Sequence, residues 1–381
     1  RKLYLKPSSP REICATWSSS DFETKFGLPM ETFFKVSQHL WEFFASRLNT
    51  DEDSLVGFFA DGDRRHVKPT LEILAGDRSE FKGIYQNTKA ESFPEIPYEF
   101  NPLLRLPILA HQSKLWAPVP ELIAYAATRG LFFHLSDLFG DRFKKRFGDM
   151  FAEYAAQLFL SKLDAPNVLT EADERRMGWQ GKTNDFTVLT QKGAFLFECK
   201  ASALFSGSKR QASVENLAAD IRKNLANHKH RAGVFQLYDK IEAIKNKKLP
   251  GKLDAAYNAV PRFFPVLLIY DRIGYANHPR ALRNLLDAEL AASGIQGFDY
   301  QIWHIEEIEH LLEILPLIEL ANFLEDKFLS PVFRYWDLDT YLFERTGRRF
   351  SYLRVSRCVP KGETEALKII RSLADGIDVS G

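Results

Sequence analysis

Residues 184–202 read NDFTVLTQKGAFLFECKAS and give the strongest indication of the fold. Residues 186–190 and 194–199 are rich in aromatic and β-branched side chains, which favour β-strands. The QKG of residues 191–193 between them is a typical turn sequence. The stretch therefore predicts a β-hairpin.

The turn residues determine which hairpin residues face each other. If residues 191–192 form the turn, Asp185 lies opposite Glu198; if residues 192–193 form it, Asp185 faces Lys200. Side chains of a strand alternate between the two faces, so either register puts all three on one face. The sequence leaves the two registers open.

Asp185 and Glu198 are expected about 5 Å apart by backbone position. Two carboxylates this close repel each other, and one takes up a proton unless a cation is present. A hard divalent ion such as Mg²⁺ prefers oxygen ligands, polarises a phosphoryl oxygen and lowers the pKa of a bound water. Lys200 could orient that water or stabilise charge on the phosphate. The triplet favours phosphodiester hydrolysis; the alternative is an edge strand ending in a solvated ion pair.

The stretch resembles the PD-(D/E)XK nuclease superfamily, with Asn184-Asp185 in the place of Pro-Asp and Glu198-Cys199-Lys200 as the E-x-K. The resemblance covers about residues 140–310. It implies a restriction-endonuclease-like α/β core: a helix, a three-stranded meander, a helix, a strand, and usually a further helix and strand. It also implies a Mg²⁺ site, in which Mn²⁺ can substitute, made by Asp185, Glu198 and the backbone carbonyl of Cys199. The missing proline and the cysteine at the x position remove no ligand.

Two helices contribute further candidates. A stripe of apolar residues predicts a helix over about residues 141–163, with Glu153 on its flank. In the resembled family a glutamate of this helix often joins the metal site, so Glu153 is the third candidate acid; the alternative is a solvated helix glutamate. Gln236 resembles a glutamine that many family members carry in a later helix, and its alternative is also a solvent-facing position.

The net charge of +1 argues against a strongly basic nucleic-acid-binding protein. Residues 200–252, however, contain twelve Lys or Arg and four Asp or Glu. A basic segment beside a carboxylate pair suits a phosphate backbone, and a solvated helix face is the alternative. The candidate contacts with nucleic acid, DNA ahead of RNA, are Lys209, Arg210, Arg222 and Lys223.

The composition predicts an ordinary soluble globular protein, with 45% hydrophobic and 27% charged residues. We expect a mainly helical domain with a small β-hairpin over residues 1–135, the nuclease-like core over 140–315 and a helical extension over 316–381. The first or last part could bind a protein partner or a second copy of the chain. The longest obvious apolar run, residues 263–270, is too short to span a membrane and predicts a buried strand.

The three cysteines are too few and too scattered for a disulfide framework or a zinc site, which fits a reducing cytoplasm. The GWQGKT of residues 178–183 is not a phosphate-binding loop, because two residues separate its glycines instead of four and it leads into a strand.

Together these features predict a Mg²⁺-dependent nuclease, most simply a DNA endonuclease. A nuclease joined to an unfamiliar N-terminal domain suggests, by analogy alone, a role in bacterial anti-phage defence. The alternative is a nuclease-like fold without catalysis that acts as a nucleic-acid-binding or assembly subunit.

Overall fold

A computed structural model describes residues 17–88, 101–161, 167–201, 214–246, 249, 251–270, 279–314 and 317–347. The protein is a helix-rich mixture of α and β structure. Its helices are α1 (Ser19–Phe26), α2 (Met30–Ala45), α3 (Glu52–Phe58), α4 (Asp61–Leu74), α5 (Arg78–Thr88), α6 (Glu121–Tyr125), α7 (Leu131–Leu160), α8 (Glu171–Arg176), α9 (Val214–Leu225), α10 (Val234–Lys245), α11 (Gly251–Asn258), α12 (Pro279–Ala292), α13 (Ile305–Ile314), α14 (Leu317–Leu329) and α15 (Leu338–Thr346).

The strands are short, and most lie in two sheets. They are β1 (Asn49–Asp51), β2 (Ala75–Asp77), β3 (Ile108–His111), β4 (Lys114–Trp116), β5 (Val168–Thr170), β6 (Phe186–Leu189), β7 (Ala194–Lys200), β8 (Ala226–Asn227), β9 (Ala232–Gly233), β10 (Phe263–Ile269) and β11 (Gln301–His304).

Strands β6 and β7 form the predicted hairpin. Phe186 pairs with Phe197, which is the first of the two registers considered and makes residues 191–192 the turn. Asp185 lies one residue before the paired strand, and its N–H donates to the Phe197 carbonyl. The hairpin therefore forms where the pattern of aromatic and β-branched residues predicts it.

In the larger sheet the described strands have the order β11-β10-β7-β6-β5. The first three strands along the chain, β5, β6 and β7, pair antiparallel. Strand β10 then pairs parallel with β7, and β11 parallel with β10. Parallel pairing requires crossover connections, and helices lie between β7, β10 and β11 in the chain.

Different helices cover the two faces of this sheet. On one face Phe197 packs against Phe159 of α7, with ring centroids 5.0 Å apart. On the other face Leu196 packs in a cluster with Leu237 of α10 and Tyr257 of α11. Because side chains alternate along a strand, Glu198 and Lys200 share the face of Leu196, away from α7.

Helix α7 contains a break where the sequence predicts the start of a helix. Gly140 has φ 56° and ψ −138°, which are not helical values. A positive φ is readily adopted only by glycine, so the segment after Gly140 is the predicted helix that packs on the sheet. Its predicted start, residue 141, agrees with this break.

Helices α9 and α10 are joined by a small ribbon of β8 and β9. The break in the apolar phase at residues 228–233 predicts a kink or two helices, and the structure has two. Gly233, with φ 67°, starts α10. A Cβ atom at this position would lie 1.9 Å from the Leu225 carbonyl oxygen, so only glycine fits.

The N-terminal part contains more β structure than the predicted hairpin. Strands β3 and β4 form that hairpin, which starts at Ile108. The described strands β1 and β2, three residues each, extend it to a four-stranded sheet of order β1-β4-β3-β2. Neither was predicted, because three residues are too few for a periodic pattern.

One hydrophobic cluster contains buried side chains from all three predicted parts, among them Phe33, Phe197 and Tyr341. Helix α14 and the aromatic residues after it therefore pack on the same core as α2 and β7. Residues 348–381, the last part of the predicted helical extension, lie outside the described residues. None of the helices described is long and apolar enough to span a membrane.

Candidate active site

Glu198 and Lys200 lie at the carboxyl end of β7, the central strand of the larger sheet, and Asp185 directly precedes β6. Glu198 is 1% exposed, whereas the side chain of Lys200 is 20% exposed. The Lys200 Nζ donates a hydrogen bond to Glu198 Oε1 at 2.5 Å. Lys200 is therefore the more accessible side chain of this pair.

Asp185 is held against β7 by two hydrogen bonds. Its N–H donates to the Phe197 carbonyl at 3.0 Å, and its Oδ2 accepts from the Cys199 N–H at 2.6 Å. The Asp185 carboxylate thus accepts the hydrogen bond that a main-chain carbonyl would accept if the pairing of β6 with β7 continued. Asp185 is fixed beside the strand that carries Glu198.

The second oxygen of Glu198 has no hydrogen-bond partner in the described part of the chain, although it is buried. An unsatisfied buried acceptor costs about 1–3 kcal/mol, and more if it is charged. Such groups are rare in folded proteins. A cation bound at Glu198 Oε2 would remove this cost.

Burial dominates the ionisation of the two acids. It raises the pKa of Asp185 to about 6 and that of Glu198 to about 8, although the Lys200 ammonium lowers both. The charge of Asp185 raises the pKa of Glu198 further. Burial lowers the pKa of Lys200, but Glu198 and Asp185 outweigh it, so that this pKa is raised and the ammonium stays charged at neutral pH.

Glu171 and Asp149 lie close enough to Asp185 for their charges to raise its pKa. The Glu171 N–H also donates to the Asp185 carbonyl at 2.9 Å. Glu153 is exposed on α7, one turn after Asp149. Its role as the third acid stays a prediction. Glu171 could have been found from the strand register, because the residue before it, Thr170, pairs with Phe186.

Gln236 is half-buried in the first turn of α10 and is not solvent-facing. Its Nε2 donates to the carbonyl of Thr183, two residues before Asp185. Cys199 is buried, and burial raises the pKa of its thiol well above the usual value, so the thiol stays protonated. Gln236 thus supports the segment that leads into the site.

Of the candidate nucleic-acid contacts, Arg222 and Lys223 are exposed on α9. Arg222 pairs with Glu289 of α12 at 2.9 Å, so part of its charge is neutralised. Lys209 and Arg210 lie outside the described residues.

Two exposed lysines near the site are not among the four named candidate contacts, although Lys229 belongs to the basic segment of residues 200–252. The Lys182 Nζ donates to the His230 carbonyl, which ties the β8-β9 ribbon to the segment before Asp185. Lys229 lies exposed at the tip of this ribbon. The contact joins residues 48 positions apart in the sequence, so no local pattern could have revealed it.

The donor set fits a hard divalent ion. Asp185 and Glu198 offer carboxylate oxygens, which Mg²⁺ prefers over nitrogen or sulfur ligands. Among the described residues, no group of three or more His, Cys, Asp and Glu side chains gathers into a metal site. The residues present therefore fit an ion held by two carboxylates, with water and backbone oxygen completing its coordination.

A cavity of about 520 Å³ lies elsewhere, in the N-terminal part of the chain. Asp51 in its wall is exposed and caps α3 by accepting from the Ser54 N–H at 2.7 Å. The acids of this chain's described part whose pKa burial raises most are instead Asp185 and Glu198. The cavity is lined by Phe43, Arg47, Asn49, Thr50, Asp51, Ser54, Phe58 and Lys114.

No family model, curated protein or solved structure matches this chain. The function is therefore argued from the site and the topology that carries it.

Proposed function

We propose that this protein is a divalent-metal-dependent phosphodiesterase, a nuclease of the PD-(D/E)XK kind that acts on DNA ahead of RNA. One observation carries the proposal: the half-buried Asp185 and the buried Glu198 lie beside Lys200, and Glu198 Oε2 is unsatisfied. Buried, like-charged carboxylates with raised pKa values are typical of functional sites.

The order and direction of the strands support this class. The resemblance implies a helix, a three-stranded meander, a helix and a strand, followed by a further helix and strand. The chain has α7, the antiparallel β5-β6-β7, helices α9 and α10, the parallel β10, then α12 and β11. Asp185 and Glu198 stand at the strand ends where the motif of the resembled family would place them.

The chain's own residues have separate roles in this proposal. Asp185 and Glu198 would hold Mg²⁺, which when bound polarises a phosphoryl oxygen and lowers the pKa of a bound water. The Cys199 N–H orients the Asp185 carboxylate. Lys200, charged and partly exposed, donates to the attacking water or to a phosphate oxygen as negative charge develops.

Two lysines, one in the β8-β9 ribbon and one that contacts it, suit the binding of a phosphate backbone next to the site. Lys182 and Lys229 are exposed, and Lys182 comes three residues before Asp185. Cations at this position attract nucleic acid independently of its sequence. They would contact the phosphate backbone of the nucleic acid without distinguishing its bases.

A second candidate is a catalytically silent subunit that binds nucleic acid. It is favoured by the hydrogen bonds that already occupy the triplet: Lys200 to Glu198, and the Cys199 N–H to Asp185. Without a metal ion these contacts hold the three side chains together and leave Glu198 Oε2 as the unpaired atom.

A nuclease assay separates the two candidates. Plasmid, linear duplex, single-stranded DNA and RNA are incubated with the protein and Mg²⁺, Mn²⁺ or EDTA. The nuclease proposal expects metal-dependent cleavage that Asp185→Asn abolishes and Lys245→Met, a change at an exposed lysine of α10, leaves intact. Nucleic-acid binding without cleavage under any metal condition supports the silent subunit instead.

A further inference from the structure

A buried polar network lies behind the segment that leads into Asp185. We call it the Glu174 network; it consists of Glu174, Trp179, Thr183, Lys240 and Tyr257. Glu174 and Lys240 are each 1% exposed, and the ion pair between them joins α8 to α10. The network touches none of the proposed metal ligands, so the proposed chemistry does not account for it.

The hydrogens of the Lys240 ammonium all face partners. Lys240 donates to the Glu174 carboxylate and, at 2.8 Å, to Thr183 Oγ1. Its Nζ also lies 3.6 Å from the centroid of the Trp179 ring, at cation–π distance. The Thr183 hydroxyl donates to Glu174 in turn. Thr183 is therefore bound from both sides by the ion pair.

The network also reaches the residues that follow Asp185. The Tyr257 hydroxyl donates to Glu174 Oε1, so in its 3.0 Å contact with Thr187 the threonine must be the donor. Thr187 Oγ1 accepts from Asn184 Nδ2 at 3.0 Å. Asp185 consequently lies between residues that the network fixes on both sides.

Stability alone does not explain the buried ion pair. Desolvating two charges costs about as much as their attraction returns, and apolar residues of similar volume often do as well. Leu196, Leu237 and Ile241 already form an apolar cluster around Trp179 and Tyr257 that could extend into this space. What the ion pair adds is directional hydrogen bonding to side chains of one segment: directly to Thr183, and through Tyr257 to Thr187.

We propose that Glu174 and Lys240 are positioning residues that hold Asp185 in the orientation needed to bind a divalent ion. This inference rests on the proposed metal site. The network fixes Thr183 and Thr187, and between them the Asp185 carboxylate is kept over the Cys199 N–H. Removing such an outer contact typically weakens metal binding about 10- to 100-fold.

The test uses two variants and a matched control. Lys240→Met removes the ammonium, and Thr183→Val, a milder change of similar shape, cuts the link between the ion pair and the Asp185 segment. The control is Lys327→Met, which removes another fully buried lysine. Lys327 donates to Gln301 Oε1 at 2.7 Å, beside β11 at the opposite edge of the sheet.

Two quantities are measured for each protein, with a melting temperature to follow stability. The first is the hydrogen-exchange rate of the Cys199 amide in metal-free protein, because that N–H is bound by the Asp185 carboxylate. Asp185→Ala gives the rate without this bond. The second is the dissociation constant for Mn²⁺.

The inference expects Lys240→Met and Thr183→Val to accelerate Cys199 exchange towards the Asp185→Ala rate and to weaken Mn²⁺ binding about 10- to 100-fold. Lys327→Met changes neither. The inference is wrong if Thr183→Val keeps the wild-type Mn²⁺ affinity or the wild-type exchange rate of the Cys199 amide. It is also wrong if Lys327→Met changes these two quantities as much as Lys240→Met does at the same loss of melting temperature.

Failure of the metal site gives a different result. In that case wild-type protein binds no Mn²⁺. The proposed function is then wrong, and so is the role of Glu174 and Lys240 in positioning a metal ligand, whatever the exchange rates show. If wild-type protein binds Mn²⁺ through Asp185 while Thr183→Val leaves both quantities unchanged, the positioning role alone fails and the metal site stands.

Discussion

Glu198 is almost fully buried, and the charges of Asp185 and Lys200 act on its carboxyl group. Burial raises its pKa to about 8, so in metal-free protein at neutral pH the carboxyl is largely protonated. A bound divalent ion favours the ionised form, because the opposite charge lowers the pKa of both acids. Metal binding at this site would therefore release protons, and the stability of the metal-free protein is expected to depend on pH.

The sign of this dependence follows from the raised pKa values. The stability contributed by protonated Glu198 is fully present below its usual pKa of 4.5 and is lost as the pH rises through about 8. Asp185, raised to about 6, acts in the same direction. We expect the melting temperature of metal-free protein to fall between about pH 5 and pH 7.5, and Glu198→Gln to flatten this fall.

Differential scanning fluorimetry in EDTA measures the effect, and excess Mg²⁺ serves as a control because it should raise the melting temperature most at the higher pH. The same pH dependence in wild-type and Glu198→Gln proteins would show that Glu198 does not carry a raised pKa.

Lys200 is the residue whose role separates chemistry from metal binding. Its ammonium contacts Glu198, and its side chain is more exposed than that of Glu198. Lys200→Met should lower the cleavage rate about 10²- to 10³-fold, the usual effect of losing one electrostatic contact to a transition state. Mn²⁺ affinity should stay within a few-fold of wild type. Wild-type cleavage by Lys200→Met would remove Lys200 from the active site.

At the scale of elements, the β6-β7 hairpin follows directly from its sequence. Alternation with a period of two places Asp185, Glu198 and Lys200 on one face in either register, so their grouping did not depend on knowing the turn. Strand β10 was predictable because its apolar run leaves few alternatives to a buried strand.

Contacts between distant elements were not predictable from the sequence. Glu174 and Lys240 are 66 residues apart, and each looks like an ordinary charged helix residue in its local sequence. Glu153 was predicted from helix phase, which fixes only the angle of a side chain around its helix and not its distance from the carboxylates.

The ribbon of β8 and β9 gives a prediction about nucleic-acid binding. Lys182→Ala combined with Lys229→Ala should weaken duplex DNA binding in EDTA and reduce the slope of log K against log salt by up to about 2, near 0.9 for each lost phosphate contact. Fluorescence anisotropy at several salt concentrations measures this slope.

The matched control is Lys68→Ala combined with Lys82→Ala, two exposed lysines of α4 and α5. If both double variants change the slope equally, net charge rather than the ribbon determines binding.

At the scale of the whole molecule, the three predicted parts share one hydrophobic cluster. Phe132, in the predicted N-terminal domain, packs on Phe147 of the predicted core with ring centroids 4.8 Å apart. Such continuous packing couples the unfolding of the parts, because parts that form a single cooperative unit unfold in one transition.

We therefore expect one calorimetric transition for the metal-free protein. Phe132→Ala should shift the entire transition to lower temperature, by an amount corresponding to about 3–5 kcal/mol for a buried phenylalanine. Two separate transitions, with only one affected by Phe132→Ala, would show that the N-terminal part unfolds independently.

The central claim is that Asp185 and Glu198 form a divalent-metal site, and isothermal titration with Mn²⁺ tests it most directly. The account predicts one site per chain in wild-type protein, and loss of that site in both Asp185→Asn and Glu198→Gln while each variant remains folded. Binding that persists unchanged in the two variants, or no binding by wild-type protein, would contradict it.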